Sequence, residues 1–423
     1  MTLRRNQSMY KRFIDIYSAI AVIAMNAIVL IIVINLFALI YINITRTKYA
    51  QGNVNPISAK YGNDMLRKVY PTWKDAELDE LLRETWSRRR YAYEPFTQFK
   101  ERPFAGRYVN VNTGGFRHSG SQGNWPPSSE FVNVFVFGGS TTFGYGLPDN
   151  QTITSYLQSD LESVRGKRYK VYNFGRGAYY SSQERILFQQ LLIAGYIPDV
   201  VIFIDGLNEF YHFDDRPTFT ARLEKYLDGE QWKKTNTMAE IIDNVPLLKL
   251  VLSRNGLNSI GQANQSEQDM PIQQSDEKRV LQVVVDRYFA NMRMIESIAK
   301  TYGVNSLFVV QPVPTYKYDL RYHLFAKGGF GRHSLAKNGY EYIQNKLHDA
   351  PKMPQILWLA DIQDGIEKPL YLDQVHYTAE MCELIAGKIA DRLEADDVVD
   401  VRKSSALAAG NQNIFIKELM RWE

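Results

Sequence analysis

The chain has 423 residues, enough for one large domain or two modest ones, and its composition is that of an ordinary globular protein. Its net charge of +4 is small and no basic stripe with interleaved aromatics is present, which argues against nucleic acid as a partner. The single cysteine, Cys382, excludes an intramolecular disulfide, and its place in an apolar helical pattern predicts a small buried hydrophobic residue rather than a catalytic thiol.

An apolar segment from Ile16 to Ile42 lies near the start of the chain and contains no charged residue. As a helix it would span roughly 40 Å, more than the ~30 Å hydrocarbon core of a bilayer. Positive charge is concentrated on its short N-terminal side, at Arg4, Arg5, Lys11 and Arg12. We therefore predict a cytoplasmic tail over residues 1–12, an uncleaved transmembrane anchor over 13–43 and a remainder outside the cytoplasm.

Residues 44–130 are mixed in character and are predicted to form a juxtamembrane or accessory segment. Within them we expect a helix over Lys74–Arg90 and a strand over Tyr108–Asn112. At the other end, residues 396–423 read as a tail with one candidate helix, Asn413–Trp422.

Residues 131–395 alternate between strand and helix patterns and are predicted to form one domain. The predicted strands are apolar runs: Val132–Phe137, Tyr169–Phe174, Val200–Ile204, Ser306–Val310 and Ile356–Leu359. The predicted helices cover Thr152–Val164, a segment opened by a capping box at Ser181 and Glu184, Lys278–Tyr302 and Ala379–Leu393. This alternation predicts an α/β fold with a doubly wound, flavodoxin-like, mostly parallel sheet.

An insertion of about residues 214–276 separates the third predicted strand from the fourth. Its stretch from Asn255 to Gln274 is rich in Asn, Gln and Ser and poor in apolar residues, which predicts a mobile loop.

Chemically useful residues follow four of the predicted strands. Ser140 follows the first strand in Gly138-Gly139-Ser140, the loop 173–181 follows the second, Gly206-Leu207-Asn208 follows the third, and Asp373-x-x-His376 follows the last. The carboxyl ends of parallel strands meet at one edge of a sheet, so one pocket could contain them all. Together they offer a nucleophile, a base, a residue to orient that base, and donors for an oxyanion.

In this order, the four blocks resemble those of the SGNH hydrolases, also called GDSL-type lipases and esterases. The resemblance covers roughly Phe131 to Leu393. It implies that Ser140 is the nucleophile, His376 the base and Asp373 its orienting partner. It also implies that the Asn208 amide and the N–H of Ser140 bind the oxyanion.

The chain departs from the family pattern in two places. The turn reads Gly-Gly-Ser rather than Gly-Asp-Ser, and Ala178 stands where the family has an oxyanion glycine, with Gly175 and Gly177 as alternates. Because the donor is a backbone N–H, alanine should suffice there unless a positive φ is required.

Other readings of the same residues are weaker. Gly175-Arg176-Gly177 has Tyr180 where a dinucleotide fingerprint needs its third glycine, and Gly-x-Ser-x-Gly is absent around Ser140. His212 with its neighbouring aspartates matches no recognised metal-ligand spacing, so we expect a solvated loop there. Neither a cofactor nor a metal is expected.

These observations predict a membrane-anchored serine esterase that cleaves O-acyl or acetyl esters of cell-envelope glycans or lipids. Hydrolysis and transfer use the same residues, so an O-acyltransferase acting on an envelope polysaccharide is the alternative. A non-catalytic subunit of a membrane complex that retains the fold is the second alternative. The implied partners are an ester-bearing glycan or lipid, the membrane and, as the resemblance suggests for transfer, a membrane acyltransferase or another membrane protein.

Overall fold

The computed structural model describes residues 2–50, 55–163, 168–227, 245–247, 274–349 and 355–395. The chain forms two compact units. One comprises Met1–Val54 with Arg222–Asn264, and the other Asn55–Ala221 with Gln265–Glu423. All of the candidate site residues lie in the second unit.

In the first unit, the described residues include one long helix, α1, over Thr2–Ala50. Its part from Tyr10 to Ile44 is long and apolar enough to cross a membrane, and its apolar side chains, such as Ile23 and Phe37, are largely exposed. This helix is compatible with a single-pass anchor and also with a signal sequence. It extends beyond the predicted span because no glycine or proline interrupts the chain there.

The second unit begins with short helices and two small antiparallel hairpins. These elements are α2 Pro56–Tyr61, α3 Asn63–Arg67, α4 Asp75–Arg83, β1 Tyr91–Glu94, β2 Gln98–Glu101, β3 Phe104–Ala105 and β4 Asn110–Val111. The helix predicted over Lys74–Arg90 starts as α4 and ends in a wider π-helical turn, Glu84–Arg88. The strand predicted from Tyr108 is shorter than expected, because the N–H groups of Tyr108 and Val109 bind the Glu84 carboxylate instead of another strand.

Five parallel strands form the central sheet in the order β6-β5-β7-β8-β9. They are β5 Val132–Gly138, β6 Tyr169–Asn173, β7 Val200–Asp205, β8 Asn305–Val310 and β9 Ile356–Trp358. This order is the flavodoxin-like one, and the predicted parallel α/β sheet is confirmed. Every residue of β5 and β7 is buried, which explains why both read as continuous apolar runs.

The helices that follow in the chain are α5 Ser140–Phe143, α6 Ile153–Ser163, α7 Ser181–Ile193, α8 Leu207–Tyr211, α9 Thr220–Leu227, α10 Gln274–Thr301, α11 Ala336–Asp349 and α12 Ala379–Ala395. Alternate residues of β5 enter two different apolar clusters. Val134 packs in a cluster with Leu157 of α6 and Ile385 of α12. Phe135 belongs to the cluster that contains Phe188 of α7 and residues of α10. The sheet is therefore covered on both faces.

The predicted capping box is wrong: Ser181 is the first helical residue of α7, and its N–H donates to the carboxylate of Glu209 (2.6 Å) rather than being served by Glu184. In the predicted mobile insertion, residues 255–273 lie outside the described residues, and Gln274 is the first residue of α10. The candidate C-terminal helix also lies outside them.

Candidate active site

Ser140 is the first residue of α5 and comes directly after the end of β5 and Gly139. The two preceding glycines are required by space. Gly138 has φ of 155°, and a side chain at Gly139 would clash with the amide of Asn208. A sharp turn at the strand end thus brings the Asn208 amide against Gly139, and Ser140 itself remains partly exposed.

The three residues predicted as a triad are joined by hydrogen bonds in the order expected. Ser140 Oγ lies 2.8 Å from Nε2 of His376, although 236 positions separate the two residues in the chain. Nδ1 of His376 lies 2.7 Å from Oδ2 of Asp373. The other carboxylate oxygen of Asp373 accepts the N–H groups of Val375 and His376, each at 2.9 Å. Chemically, such an arrangement can supply a nucleophile, a base and a residue that orients the base.

Asp373 is buried but ionised. Burial alone would raise its pKa, but the adjacent imidazole of His376 and the backbone N–H donors outweigh this and lower the pKa to about 2. An ionised carboxylate accepts hydrogen bonds only, so Nδ1 of His376 must carry the proton. The lone pair of Nε2 then faces the Ser140 hydroxyl.

Two aromatic rings enclose the imidazole of His376. Tyr145 stacks on it with centroids 5.1 Å apart, and Trp86 meets it edge-on at 5.2 Å. Behind them, the guanidinium of Arg89 lies 4.7 Å from the Tyr145 ring and pairs with the buried carboxylate of Glu101. The sequence did not predict that these rings surround His376. The one feature that could have drawn attention to them was the tryptophan beside a run of arginines in residues 44–130.

Asn208 lies at the start of α8 with its amide directed at the loop after β6. Its Nδ2 donates to the carbonyl oxygen of Tyr179 (2.7 Å). A side-chain amide has two N–H groups, so one remains for another acceptor. Since the same amide lies against Gly139, that second N–H is next to the turn that carries Ser140.

The structure separates the three candidates for the family's oxyanion glycine. The N–H of Gly175 donates to the side chain of Asn173 (3.0 Å) and is therefore already used. Gly177 is packed so closely against the hydroxyl of Tyr145 that a side chain there would clash. Ala178 has φ of 59°. This is the left-handed conformation, which an alanine adopts at a cost of roughly 1–2 kcal/mol. The positive φ, the one condition expected to disfavour alanine at this position, is therefore present.

His212 is fully buried, so the expected solvated loop is wrong for this residue. Nε2 lies 3.0 Å from the carbonyl oxygen of Ala178, and Nδ1 lies 2.8 Å from that of Arg216. The ring stacks on Tyr180 with centroids 4.7 Å apart. Burial lowers the pKa of His212 to about 4. Within the part of the chain that the structure describes, no group of three or more His, Cys, Asp or Glu residues is placed to hold a metal ion.

Three carboxyl groups lie buried behind the same loop, on Glu184, Asp205 and Glu209. Burial is the main cause that raises the pKa values of Glu184 and Asp205 well above their ordinary values. Repulsion from Asp205 and Glu209 adds to it for Glu184, and repulsion from Glu209 adds to it for Asp205. Burial also raises the pKa of Glu209, but its partner Arg287 (3.7 Å) and the N–H of Ser181 oppose that effect. Of the three, Glu209 contacts the loop directly, because it accepts the N–H of Ser181 (2.6 Å).

No family model matches this chain, and a search of curated proteins gives no match either. Solved structures similar to it include a protein assigned to the G-D-S-L lipolytic family from Desulfitobacterium hafniense (12% identity, TM-score 0.34), which the match covers to 99%. A second is a lipase from a goat rumen metagenome (15% identity, TM-score 0.36), of which the match covers 97%. A third is a catalytic mutant of an acetylxylan esterase from Geobacillus stearothermophilus (12% identity, TM-score 0.33), of which the match covers 94%. Each match covers 62% of the present chain. The chain is thus similar to solved structures of lipolytic proteins and an acetylxylan esterase.

Proposed function

We propose that the protein is a serine hydrolase of the SGNH type that cleaves ester bonds through an acyl-enzyme. The observation that carries the proposal is the chain of hydrogen bonds from Ser140 Oγ through His376 to Asp373, at 2.8 and 2.7 Å. The proposal is supported by the position of these three residues at the carboxyl edge of a parallel sheet, where such folds bind ligands.

In the first step Ser140 Oγ attacks the ester carbonyl while Nε2 of His376 accepts the hydroxyl proton. The ionised carboxylate of Asp373 stabilises the imidazolium that forms and keeps the ring oriented. Negative charge develops on the carbonyl oxygen. The free N–H of the Asn208 amide, the backbone N–H of Ser140 and the backbone N–H of Ala178 are the donors proposed to bind it.

The tetrahedral intermediate then collapses. The C–O bond to the alcohol breaks as His376 returns its proton to the leaving oxygen, and the acyl group stays on Ser140. A water molecule attacks this acyl-enzyme with His376 again acting as the base, which releases the acid and restores the serine. In the transferase alternative a sugar hydroxyl takes the place of water, and every protein group keeps its role.

The proposed setting is the outer face of a membrane, with the N-terminus in the cytoplasm. The support is the apolar helix from Tyr10 to Ile44 together with the basic residues that precede it. In that setting, esters of envelope glycans or lipids are the substrates within reach. The alternative of a non-catalytic subunit is disfavoured, because a disused site has no need of the ionised, fully hydrogen-bonded Asp373.

The test uses the detergent-solubilised full chain and a fluorophosphonate probe, which reacts with activated serines. We expect one labelled peptide, carrying Ser140, and loss of both labelling and p-nitrophenyl acetate hydrolysis in Ser140→Ala. Ser163→Ala, an exposed helix-end serine, serves as the control and should behave as the wild type. Labelling at another serine, or full activity of Ser140→Ala, would contradict the proposal.

A further inference from the structure

We propose that His212 is a positioning residue of the oxyanion hole, and that it acts by donating its Nε2–H to the carbonyl oxygen of Ala178. This contact would hold Ala178 in the left-handed conformation in which its own N–H faces the ester oxygen. The inference rests on the proposed function and extends it to a residue that touches neither substrate nor triad.

Ala178 needs an external restraint because its conformation is unfavourable. With φ of 59° it occupies a region that glycine enters freely and alanine does not. Left alone, the peptide would relax to a negative φ and its N–H would turn away. A residue held in such a region persists only where its surroundings fix it, and these residues concentrate at functional sites.

The surroundings of Ala178 supply such restraints on both sides. Upstream, the N–H of Arg176 donates to the carbonyl of Gly138 at the end of β5 (2.9 Å). Downstream, the carbonyl of Tyr179 is held by the amide of Asn208 (2.7 Å). Between these two anchors the contact to Ala178 itself comes from His212, at 3.0 Å.

Asn208 and His212 act on the loop from one element. Asn208 lies in α8 and His212 directly follows its last residue, four positions further on, so both project from the same side of the helix. The N–H of Ser181 is held by Glu209 of the same helix (2.6 Å). One short helix therefore clamps the loop at Ala178, Tyr179 and Ser181.

The imidazole can serve only one of the two carbonyls that it faces. Nδ1 lies 2.8 Å from the oxygen of Arg216 and Nε2 lies 3.0 Å from that of Ala178. Both oxygens are acceptors, whereas a neutral imidazole has a single N–H. Burial keeps the ring neutral at pH 7, with Asp214, Arg287 and His333 as the charged or titratable groups near it. The two distances do not decide between the tautomers, so the assignment of the proton to Nε2 is part of the proposal and is measured directly below.

Two amide substitutions test which of the two ring nitrogens of His212 donates the hydrogen bond that matters for activity. In His212→Gln the amide donor can take the place of Nε2, and in His212→Asn it can take the place of Nδ1. We expect kcat for p-nitrophenyl acetate to fall about tenfold or more in the Asn variant with little change in KM, and to stay within about threefold in the Gln variant, since a misplaced oxyanion donor weakens only the transition state. The rate of fluorophosphonate labelling of Ser140 should follow kcat. Equal kcat values in the two variants would overturn the proposal.

A glycine at position 178 provides a second test of the proposal. Ala178→Gly removes the penalty of the left-handed conformation, so the need for His212 should shrink. We expect Ala178→Gly alone to resemble the wild type, and the double variant with His212→Asn to recover most of the lost kcat. A purely structural role for His212 would instead lower the melting temperature equally in both backgrounds, with no recovery of kcat. That outcome would overturn the proposal.

The wild-type protein gives a readout that does not depend on activity. A ¹⁵N-histidine NMR spectrum, in which His212 is identified by its absence from His212→Gln, should show the Nε2–H tautomer. The Nδ1–H tautomer would overturn the assignment even if Ser140 proves to be the nucleophile. Full activity of Ser140→Ala would instead remove the proposed function, and the role given to His212 with it, so the two failures can be told apart.

Discussion

The ring of Tyr145 lies parallel to the imidazole of His376, with planes 17° apart and centroids separated by 5.1 Å. The Tyr145 hydroxyl lies 2.8 Å from the hydroxyl of Tyr91, which belongs to the first hairpin of the accessory segment. The stacked ring limits the rotation of the imidazole about its side-chain bonds. Residues before the sheet thus contribute to the geometry of the proposed base.

Replacing the stacked ring tests this contribution. In Tyr145→Leu the imidazole loses a flat surface that fixes its plane, so we expect kcat for p-nitrophenyl acetate to fall about tenfold, in line with the sensitivity of catalysis to small misplacements. Tyr145→Phe is the matched control, because it keeps the stacked ring and loses only the hydroxyl with its contacts to Tyr91 and Arg89. The account fails at this point if both variants lose the same activity.

Asp373 should link activity and stability to pH. Its pKa of about 2 lies below the ordinary value near 3.9 for an unfolded aspartate, so its contribution to stability is complete above pH ~4 and is lost as pH falls from about 4 to about 2. We expect Asp373→Asn to unfold about 2 kcal/mol more easily than the wild type at pH 6, with the difference shrinking below pH 4. Denaturant titrations at several pH values measure it.

The same substitution should lower kcat by roughly 10³–10⁴-fold at neutral pH, because asparagine can favour the wrong tautomer of His376. A constant stability difference down to pH 2, or near-normal kcat, would contradict the role given to Asp373.

The buried carboxyl cluster should act in the opposite direction. The pKa of Glu184 is raised by burial and by the neighbouring carboxylates Asp205 and Glu209, so its neutral form is favoured in the folded state. The wild type should therefore lose stability as pH rises above the unfolded value near 4.3, and Glu184→Gln should remove that loss. We expect the variant to melt higher than the wild type at pH 8 and similarly at pH 4.

Glu209→Gln is the informative comparison for this cluster. It removes one carboxylate partner of the half-buried guanidinium of Arg287, which also pairs with Asp215 (3.5 Å), so it should lower the melting temperature at pH 8. A stabilising effect of Glu209→Gln together with no effect of Glu184→Gln would show that the charges are arranged differently.

The orientation in the membrane can be tested with a single introduced thiol. The native Cys382 is buried and should not react, whereas Tyr93 is 72% exposed at the first hairpin. In intact cells or spheroplasts, a membrane-impermeant maleimide should label Tyr93→Cys and leave the wild-type protein unlabelled. Labelling that requires permeabilised cells would place this unit in the cytoplasm and contradict the prediction.

The sequence predicts the sheet and the Ser140–His376–Asp373 group because both depend on local patterns. Apolar runs mark the strands, and side chains that follow parallel strands must meet at one edge. The wall around His376 could not be predicted in this way, because Trp86 and Tyr145 reach the imidazole through tertiary packing.

The backbone conformation of the loop after β6 could not be predicted from local sequence patterns either. An alanine at position 178 gives no sign of a positive φ, and Ser181 with Glu184 matches a capping box although a carboxylate from another helix takes that place. Local rules give way here because groups distant in the chain compete for the same N–H.

The most direct test of the central claim is the mass of the acyl-enzyme. The full chain is mixed with p-nitrophenyl acetate, quenched with acid during the first turnovers and digested for mass spectrometry. The account predicts one added acetyl group on the peptide that contains Ser140, and none on the same peptide of Ser140→Ala. Rapid hydrolysis with acetyl on no residue, or acetyl on a different side chain, would contradict it.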